Sequence, residues 1–307
     1  MYSRGASMVG PDDIGMRDSL DGGSVRPPPI VARVRPPRFA GAHYPADPGD
    51  LKRMAEALLG APRAGLPRTA GLVLPHGPWR FVGPLVARAI ARGTVEETVV
   101  ILGPNHEGRG PRSAIICDGA FALPGAHVPI EEPLAESIRA LGGFAEAPEV
   151  FAGDHAVEDL LPLLAARQPR LSLVPIAIHD VSAAGAARMG AAIGDAIVGR
   201  GGGVTLVATS DIAHYVPPSD VARASDPIVE ATRALDEEAL VDAFRGRLDG
   251  RTPIVETCGL GALLTFVHAM RALGAEPGEV VGRASSGDVD ADARAVVAWA
   301  SVFYARR

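Results

Sequence analysis

Short apolar segments alternate with helical patterns along most of the chain, and this alternation constrains the fold more than any other feature. The apolar segments predict strands at 70–74, 98–102, 171–178, 204–209, 280–284 and 295–304. Apolar residues at helical spacing predict helices at 81–91, 132–141, 157–167, 183–198, 228–244 and 259–273, and an earlier helix that begins after Asp47. Strands that alternate with helices are typical of an α/β domain. The pattern does not specify the order of the strands.

The chain has 307 residues, and its first part differs in composition from the rest. Residues 1–37 are rich in Gly, Ser, Pro and Asp and show no apolar period. We therefore expect a disordered N-terminal tail at 1–37 and a single domain at 38–307.

Charge and cysteine usage exclude several classes of protein. With 30 Lys and Arg against 36 Asp and Glu, the net charge is -6, which gives no global attraction to nucleic acid. No apolar run reaches the about 18 residues of a membrane helix, so we expect no membrane partner. Two cysteines cannot form a disulfide framework, and the first residues lack a signal-peptide pattern. These features predict a cytoplasmic location.

Three of the eight histidines follow predicted strands directly. His76 and His106 follow the first two strands, and Asp211 with His214 follows the fourth. Ligands bind open α/β sheets at the carboxyl ends of the strands, so we expect these four residues to share a pocket. A single histidine is more often a hydrogen-bonded structural residue. Two histidines with one anionic ligand, however, bind a divalent transition metal and leave positions for substrate and oxygen.

The anionic ligand has two candidates in one short segment. Cys258 precedes the predicted helix at 259–273, and a helix start lowers the pKa of a thiol toward the metal-binding thiolate form. Glu256 is the carboxylate alternative and would give a harder ligand set. Cys258 is also compatible with a small buried apolar residue. Cys117 lies in an apolar run and is predicted to belong to the core.

His155 and Glu158 lie three residues apart in the segment GDHAVEDLLPLL, in which Asp154 is a candidate helix cap. Residues at this spacing share one face of a helix. The two side chains are a candidate acid/base pair, or a pair in which the carboxylate orients a histidine near a metal. A solvated Glu158 on the helix surface is equally consistent with the pattern.

Eight short motifs, taken in order, resemble those of the MEMO family, which includes proteins called AmmeMemoRadiSam system protein B. The motifs span essentially 38–305 and are RFAGAHYP, LPHGPWRFVG, ILGPNHEG, GDHAVEDLLPLL, LVPIAI, ATSDIAHY, TCGLGALL and SSGDVDADARAVVAWA. The resemblance implies a single α/β domain with a central mixed sheet flanked by helices, similar to class III extradiol dioxygenases.

The resemblance also implies a site. Class III extradiol dioxygenases hold non-haem iron(II) with two histidines and a glutamate, and MEMO proteins have a cysteine in place of the glutamate. The matching metal ligands in this chain are His76, His106 and Cys258. The residues that match polar motifs of the same pocket, and that we take as candidate catalytic residues, are His155, Glu158, Asp211 and His214.

This chain departs from the family pattern in three places. Pro78 and Trp79 stand where the family usually has the small turn of a PHAGY motif. His43 stands where the family tends to have an aromatic residue before the tyrosine of its first motif, and Asp154 replaces a glutamate. The ligand positions are retained, so these departures concern the substrate more than the metal.

Three functions are compatible with such a site. The first is a non-haem iron(II)-dependent, dioxygenase-like oxidoreductase acting on a small-molecule substrate, with Cu or Zn as alternatives because a thiolate is softer than a carboxylate. The second is a non-catalytic protein that binds a metal or an anionic peptide such as a phosphopeptide, for which Arg80, Arg109 and Arg112 lie near two motifs. The third is an accessory role beside AMMECR-type and radical-SAM proteins, which the family name implies. We favour the oxidative enzyme.

Overall fold

The computed structural model describes residues 33–179, 182–248, 257–290 and 294–306. Its helices over these residues are α1 (Pro48–Leu59), α2 (Trp79–Ile90), α3 (Glu132–Gly142), α4 (Leu161–Arg167), α5 (Ala183–Gly199), α6 (Val221–Ala234), α7 (Glu237–Leu248) and α8 (Leu260–Ala272). Its strands are β1 (Val34–Arg35), β2 (Thr69–Leu74), β3 (Thr98–Pro104), β4 (Ser113–Ile115), β5 (Ala120–Leu123), β6 (Ala126–Pro129), β7 (Ala145–Glu146), β8 (Ser172–Ile178), β9 (Val204–Thr209), β10 (Ala213–Val216), β11 (Glu279–Ser285) and β12 (Val296–Ala305).

A nine-stranded mixed sheet forms the centre of the fold, as expected. Its order is β10–β12–β2–β9–β3–β8–β4–β7, and β11 pairs with β12 beside this path. The four inner strands β2, β9, β3 and β8 are parallel, whereas β12 and β4 run antiparallel to their inner neighbours. The carboxyl ends of the parallel strands therefore lie along one edge of the sheet.

Helices cover the sheet in two groups. The first group consists of α1, α2 and α4, and the second consists of α3, α5 and α8. Every residue of β3 and β9 is buried, which requires cover on both faces of the sheet. Among the described residues, no helix has the length and apolar character needed to cross a bilayer.

The predicted strands are all present, at β2, β3, β8, β9, β11 and β12. The helix predicted at 228–244 is wrong in one respect, because α6 and α7 are separate helices. Leu235 adopts a left-handed conformation with a φ of 57°, which ends α6, and the Asp236 side chain accepts a hydrogen bond from Ala239 N at the start of α7. The Asp47 cap is confirmed by its hydrogen bond from Asp50 N.

Strand β1 lies within the segment predicted to be a tail. Val34 and Arg35 pair in parallel with β5, so the folded unit includes residues that precede the predicted boundary at 38. The remainder of the predicted tail, residues 1–32, lies outside the described residues.

Candidate metal centre

The carboxyl ends of three neighbouring strands carry most of the predicted site. Strand β9 lies between β2 and β3, so Asp211 after β9 falls between His76 after β2 and His106 after β3. The ring centroids of His76 and His106 are 5.0 Å apart, with the rings nearly perpendicular at 77°. The structure thus brings together side chains that are about 30 or more residues apart in the chain.

Cys258 completes a group of three candidate metal ligands. Its Sγ lies 3.5 Å from His76 Nε2, and one ligand atom from each of His76, His106 and Cys258 lies within 4.8 Å of the others. The geometry depends on Gly259, whose N–H donates to Ser210 Oγ at 3.0 Å. A Cβ at position 259 would come within 2.6 Å of Ser210 Cβ. Only glycine lets the chain pass this close, which places Cys258 against the strand ends. The alternative ligand, Glu256, lies outside the described residues.

Burial keeps the Cys258 thiol protonated when no cation is bound. Desolvation and the negative charge of Asp211 raise the pKa of this thiol, and they outweigh the hydrogen bond that Sγ accepts from Asp211 N at 3.2 Å. The expectation that a helix start lowers this pKa is therefore wrong, because α8 begins only at Leu260 and burial dominates. A metal ion that binds Sγ must displace a proton.

The two histidines are held through the ring nitrogen that faces away from the sulfur. His76 Nδ1 lies 2.9 Å from Thr209 Oγ1, which leaves Nε2 directed at Cys258. Burial, and then the charges of neighbouring histidines, lower the pKa of His76 well below its ordinary value, so the ring is neutral at pH 7. A neutral imidazole with its second nitrogen held by a partner is the usual form of a histidine metal ligand.

His106 is oriented by Asp154 in the same way. Its Nδ1 lies 3.1 Å from Asp154 Oδ2, and its backbone N–H donates to the same oxygen at 2.8 Å. Burial would raise the pKa of Asp154, but the hydrogen bonds and charge of His106 and the N–H of Ala156 hold it below its ordinary value. The donor set is therefore two imidazole nitrogens and one sulfur. Each of the three side chains is held by a hydrogen bond with a neighbouring group, and the set suits a transition-metal ion.

His155 lies beside this group but pairs with a different carboxylate from the one predicted. Its ring stacks on that of His106 at 4.8 Å and 9°, and its Nδ1 lies 2.8 Å from Asp159 Oδ2. The turn after His155 is closed by a hydrogen bond from Asp159 N to the His155 carbonyl. Asp159, and not Glu158, contacts the His155 ring, so the predicted His155–Glu158 pair is not formed.

Glu158 is instead a buried anchor for the N-terminal part of the domain. It forms an ion pair with Arg35 and accepts hydrogen bonds from Phe39 N at 2.8 Å and Tyr44 Oη at 2.6 Å. The alternative of a solvated Glu158 is also excluded, because the side chain is fully buried.

Asp211 and His214 lie on the cysteine side of the centre. Asp211 Oδ1 accepts a hydrogen bond from Trp299 Nε1 at 2.9 Å, and Asp211 Oδ2 lies 3.1 Å from His214 Nε2. Asp211, His214 and Cys258 form a further group whose ligand atoms lie within 4.8 Å of one another. The indole thus fixes the carboxylate, and the carboxylate orients the imidazole.

Comparison with known proteins supports the family resemblance. Residues 35–303 match the family described as Memo-like protein. The chain belongs to this Memo-like family. It is 33% identical to MEMO1 family protein MK0963 of Methanopyrus kandleri, over 89% of this chain and 99% of that protein. It is 30% identical to MEMO1 family protein MTH_45 of Methanothermobacter thermautotrophicus, over 87% of this chain and 99% of that protein.

A solved structure, an uncharacterized protein from Escherichia coli K12, shares 16% identity with the chain. It covers 77% of this chain and 99% of its own, with a TM-score of 0.47. Family membership and the clustered ligand atoms together make this Memo-like protein a candidate metal-binding protein.

Several residues of this Memo-like site were missed from the sequence. Thr209 contacts the His76 ring and Trp299 donates to Asp211, but both lie in apolar strands whose sequence gives no sign of these contacts. Asp159 had one signal, its spacing of four from His155, which predicts contact on a helix. His43 had another, because it departs from the family's aromatic residue. Its Nδ1 lies 2.9 Å from Asp159 Oδ1.

Proposed function

We propose that this Memo-like protein binds one transition-metal ion through His76, His106 and Cys258 and acts as a non-haem iron(II)-dependent oxidoreductase on a small-molecule substrate. The observation that carries the proposal is the convergence of three donor atoms within 4.8 Å. Three protein ligands leave coordination positions open, and bound iron(II) would supply them to dioxygen and substrate side by side.

The residues around the ligands have separate tasks in this proposal. Thr209 and Asp154 fix which nitrogen of each histidine meets the metal. His214, paired with Asp211, is suited to hold and move the proton of a substrate hydroxyl near neutral pH. His155 is the other candidate for this acid–base role.

Elemental analysis of protein purified without oxygen or chelator tests the proposal. We expect iron in the parent and the loss of about one equivalent of it in His76→Ala and in Cys258→Ser. His127→Ala is the matched control, because His127 is an exposed histidine on β6. Oxygen uptake with catechols as trial substrates then measures turnover. If the parent binds no metal after reconstitution, or if His76→Ala binds as much as the parent, the ligand assignment is wrong.

Metal storage or delivery without turnover is the second candidate, and the chemistry of Cys258 favours it. A sulfur ligand is soft and prefers Cu(I) or Zn(II) to iron(II). Anaerobic competition between Cu(I) and Fe(II) separates the two proposals: preference for Cu(I) together with no oxygen uptake supports storage. Capture of an anionic peptide has less support, since Arg80 lies over the Phe81 ring and Arg109 pairs with Glu107.

A further inference from the structure

A second group of potential metal ligands lies next to the first and is not needed by the ligand set proposed above. One ligand atom from each of His43, His155 and Asp159 lies within 4.8 Å of the others. His43 Nδ1 is 2.9 Å from Asp159 Oδ1, and His155 Nδ1 is 2.8 Å from Asp159 Oδ2. Two ligands about 2.1 Å from one ion are about 3.0 Å apart at a right angle and about 3.4 Å apart at the tetrahedral angle. The observed separations are hydrogen-bond distances without an ion, and they lie close enough to these values for the three side chains to take up a shared cation after a small movement.

The charge of Asp159 is the second observation. Its side chain is 1% exposed, and within the described ranges its ion-pair partners are His43 and His155, without a lysine or arginine. The adjacent Glu158, by contrast, is buried against Arg35. A buried carboxylate is stabilised by hydrogen bonds or by positive charge. Asp159 has hydrogen bonds from His43 and His155, and a divalent cation held by the same three side chains would add positive charge beside it.

Asp159 is also oriented before any ion binds. The backbone N–H of Gly77 donates to Asp159 Oδ2 at 2.8 Å, and Trp79 Nε1 donates to the Asp159 carbonyl at 3.0 Å. Gly77 has a φ of 125°, a conformation that favours glycine and that aims its N–H at the carboxylate. Ligating carboxylates are commonly held by such outer hydrogen bonds.

We propose that His43, His155 and Asp159 bind a second divalent transition-metal ion, so that the chain holds two ions in contiguous sites. The His155 ring stacks on His106, a ligand of the first site. The second site offers two nitrogens and an oxygen, a harder set than the first, and it suits Zn(II) or Fe(II) better than Cu(I). The second site makes His155 a metal ligand, so His214 is the remaining candidate for the acid–base role.

Titration of the chelator-treated full-length protein with Co(II) tests the proposal. Co(II) on the Cys258 sulfur gives a near-ultraviolet charge-transfer band, whereas Co(II) at the second site has no sulfur ligand. We expect two equivalents in the parent. His43→Phe and Asp159→Asn should each bind one equivalent and keep the sulfur band, and Cys258→Ser should lose the band and keep one equivalent. His127→Ala is the control and should bind two.

The outcomes separate the two sites. One equivalent with the sulfur band in the parent, or an unchanged stoichiometry in both His43→Phe and Asp159→Asn, overturns the second site and leaves the first. Loss of cobalt from His43→Phe, with the band intact, supports it. Phe suits position 43 because a ring there can keep the contacts that the His43 ring makes with the Phe39 and His155 rings. Circular dichroism of each variant confirms that it is folded.

Discussion

Arg35→Met should destabilise the protein by about 3–5 kcal/mol, because it leaves the Glu158 carboxylate buried without its counter-charge. The Glu158 side chain is 0% exposed and that of Arg35 is 8% exposed. The Arg35 guanidinium also donates to the carbonyls of Phe151 at 2.7 Å, Asp154 at 2.8 Å and Pro36 at 3.1 Å, so the substitution removes four partners at once. Methionine retains most of the apolar stem, which confines the loss to the guanidinium.

Three further variants show whether the loss comes from the buried charge. Lys52→Met breaks an exposed pair with Glu56 on α1 and should cost no more than about 0.5 kcal/mol. Glu158→Gln removes the charge that Arg35 compensates. The double variant Arg35→Met/Glu158→Gln should therefore recover part of the stability lost in Arg35→Met, with a coupling energy of about 0.5–3 kcal/mol.

Urea unfolding followed by circular dichroism, at one pH and without metal, measures the free energy of unfolding of the parent and the four variants. The reasoning fails if Arg35→Met and Lys52→Met lose the same small amount. It also fails if the double variant is less stable than Arg35→Met by the full cost of Glu158→Gln, because the two side chains would then act independently.

Three further predictions concern the centre. Burial raises the pKa of the Cys258 thiol, so metal binding should release about one proton from it. The affinity for the metal should therefore rise about tenfold per pH unit from 7 to 8. Calorimetry in buffers of different ionisation enthalpy should show this proton release in the parent and not in Cys258→Ser. Thr209→Val should weaken metal binding about 10–100-fold in a chelator competition, because His76 loses its orienting partner, and Thr98→Val is the control. The pKa of Asp154 is lower in the folded protein than in the unfolded chain, so its stabilisation is present at neutral pH and is lost as the pH falls through the folded pKa. The free energy of unfolding of Asp154→Asn should therefore depend less on pH in the acid range than that of the parent. An unchanged pH dependence would contradict this.

The strands that the sequence predicted are those whose own residues are almost entirely apolar. Each residue of β3 and β9 is buried, so a continuous apolar run is sufficient to identify them. The strands that were missed, β1, β4–β7 and β10, have two to four residues each. At that length the pairing partner, and not the local pattern, decides the conformation. Parallel pairing of β1 with β5 joins segments about 85 residues apart and leaves no local signal.

The metal centre, like the sheet, could be predicted from the sequence only in part. His76 and His106 were predictable because each follows a predicted strand, and parallel strands end at one edge. The contacts that orient them were not, because they depend on how distant loops meet. His43 and Asp159 are 116 residues apart in the chain, and Asp159 sits one residue from Glu158, to which the helical spacing had assigned the role. The turn after His155 is closed by a hydrogen bond from Asp159 N to the His155 carbonyl, and Glu158 pairs with Arg35 instead, so the two carboxylates exchange the predicted roles.

The short segment that runs from Asp154 to Asp159 connects the strand-end ligands to the N-terminal part of the domain. Asp154 holds His106, and its carbonyl accepts from Arg35. Asp159, at the other end of the segment, meets His43 from the N-terminal part. The strand ends fix His76 and His106, whereas this segment lies outside the sheet and joins the N-terminal part of the domain to the centre. Substitutions of His43 or Asp159 should therefore change the chemistry of the centre without disturbing the sheet.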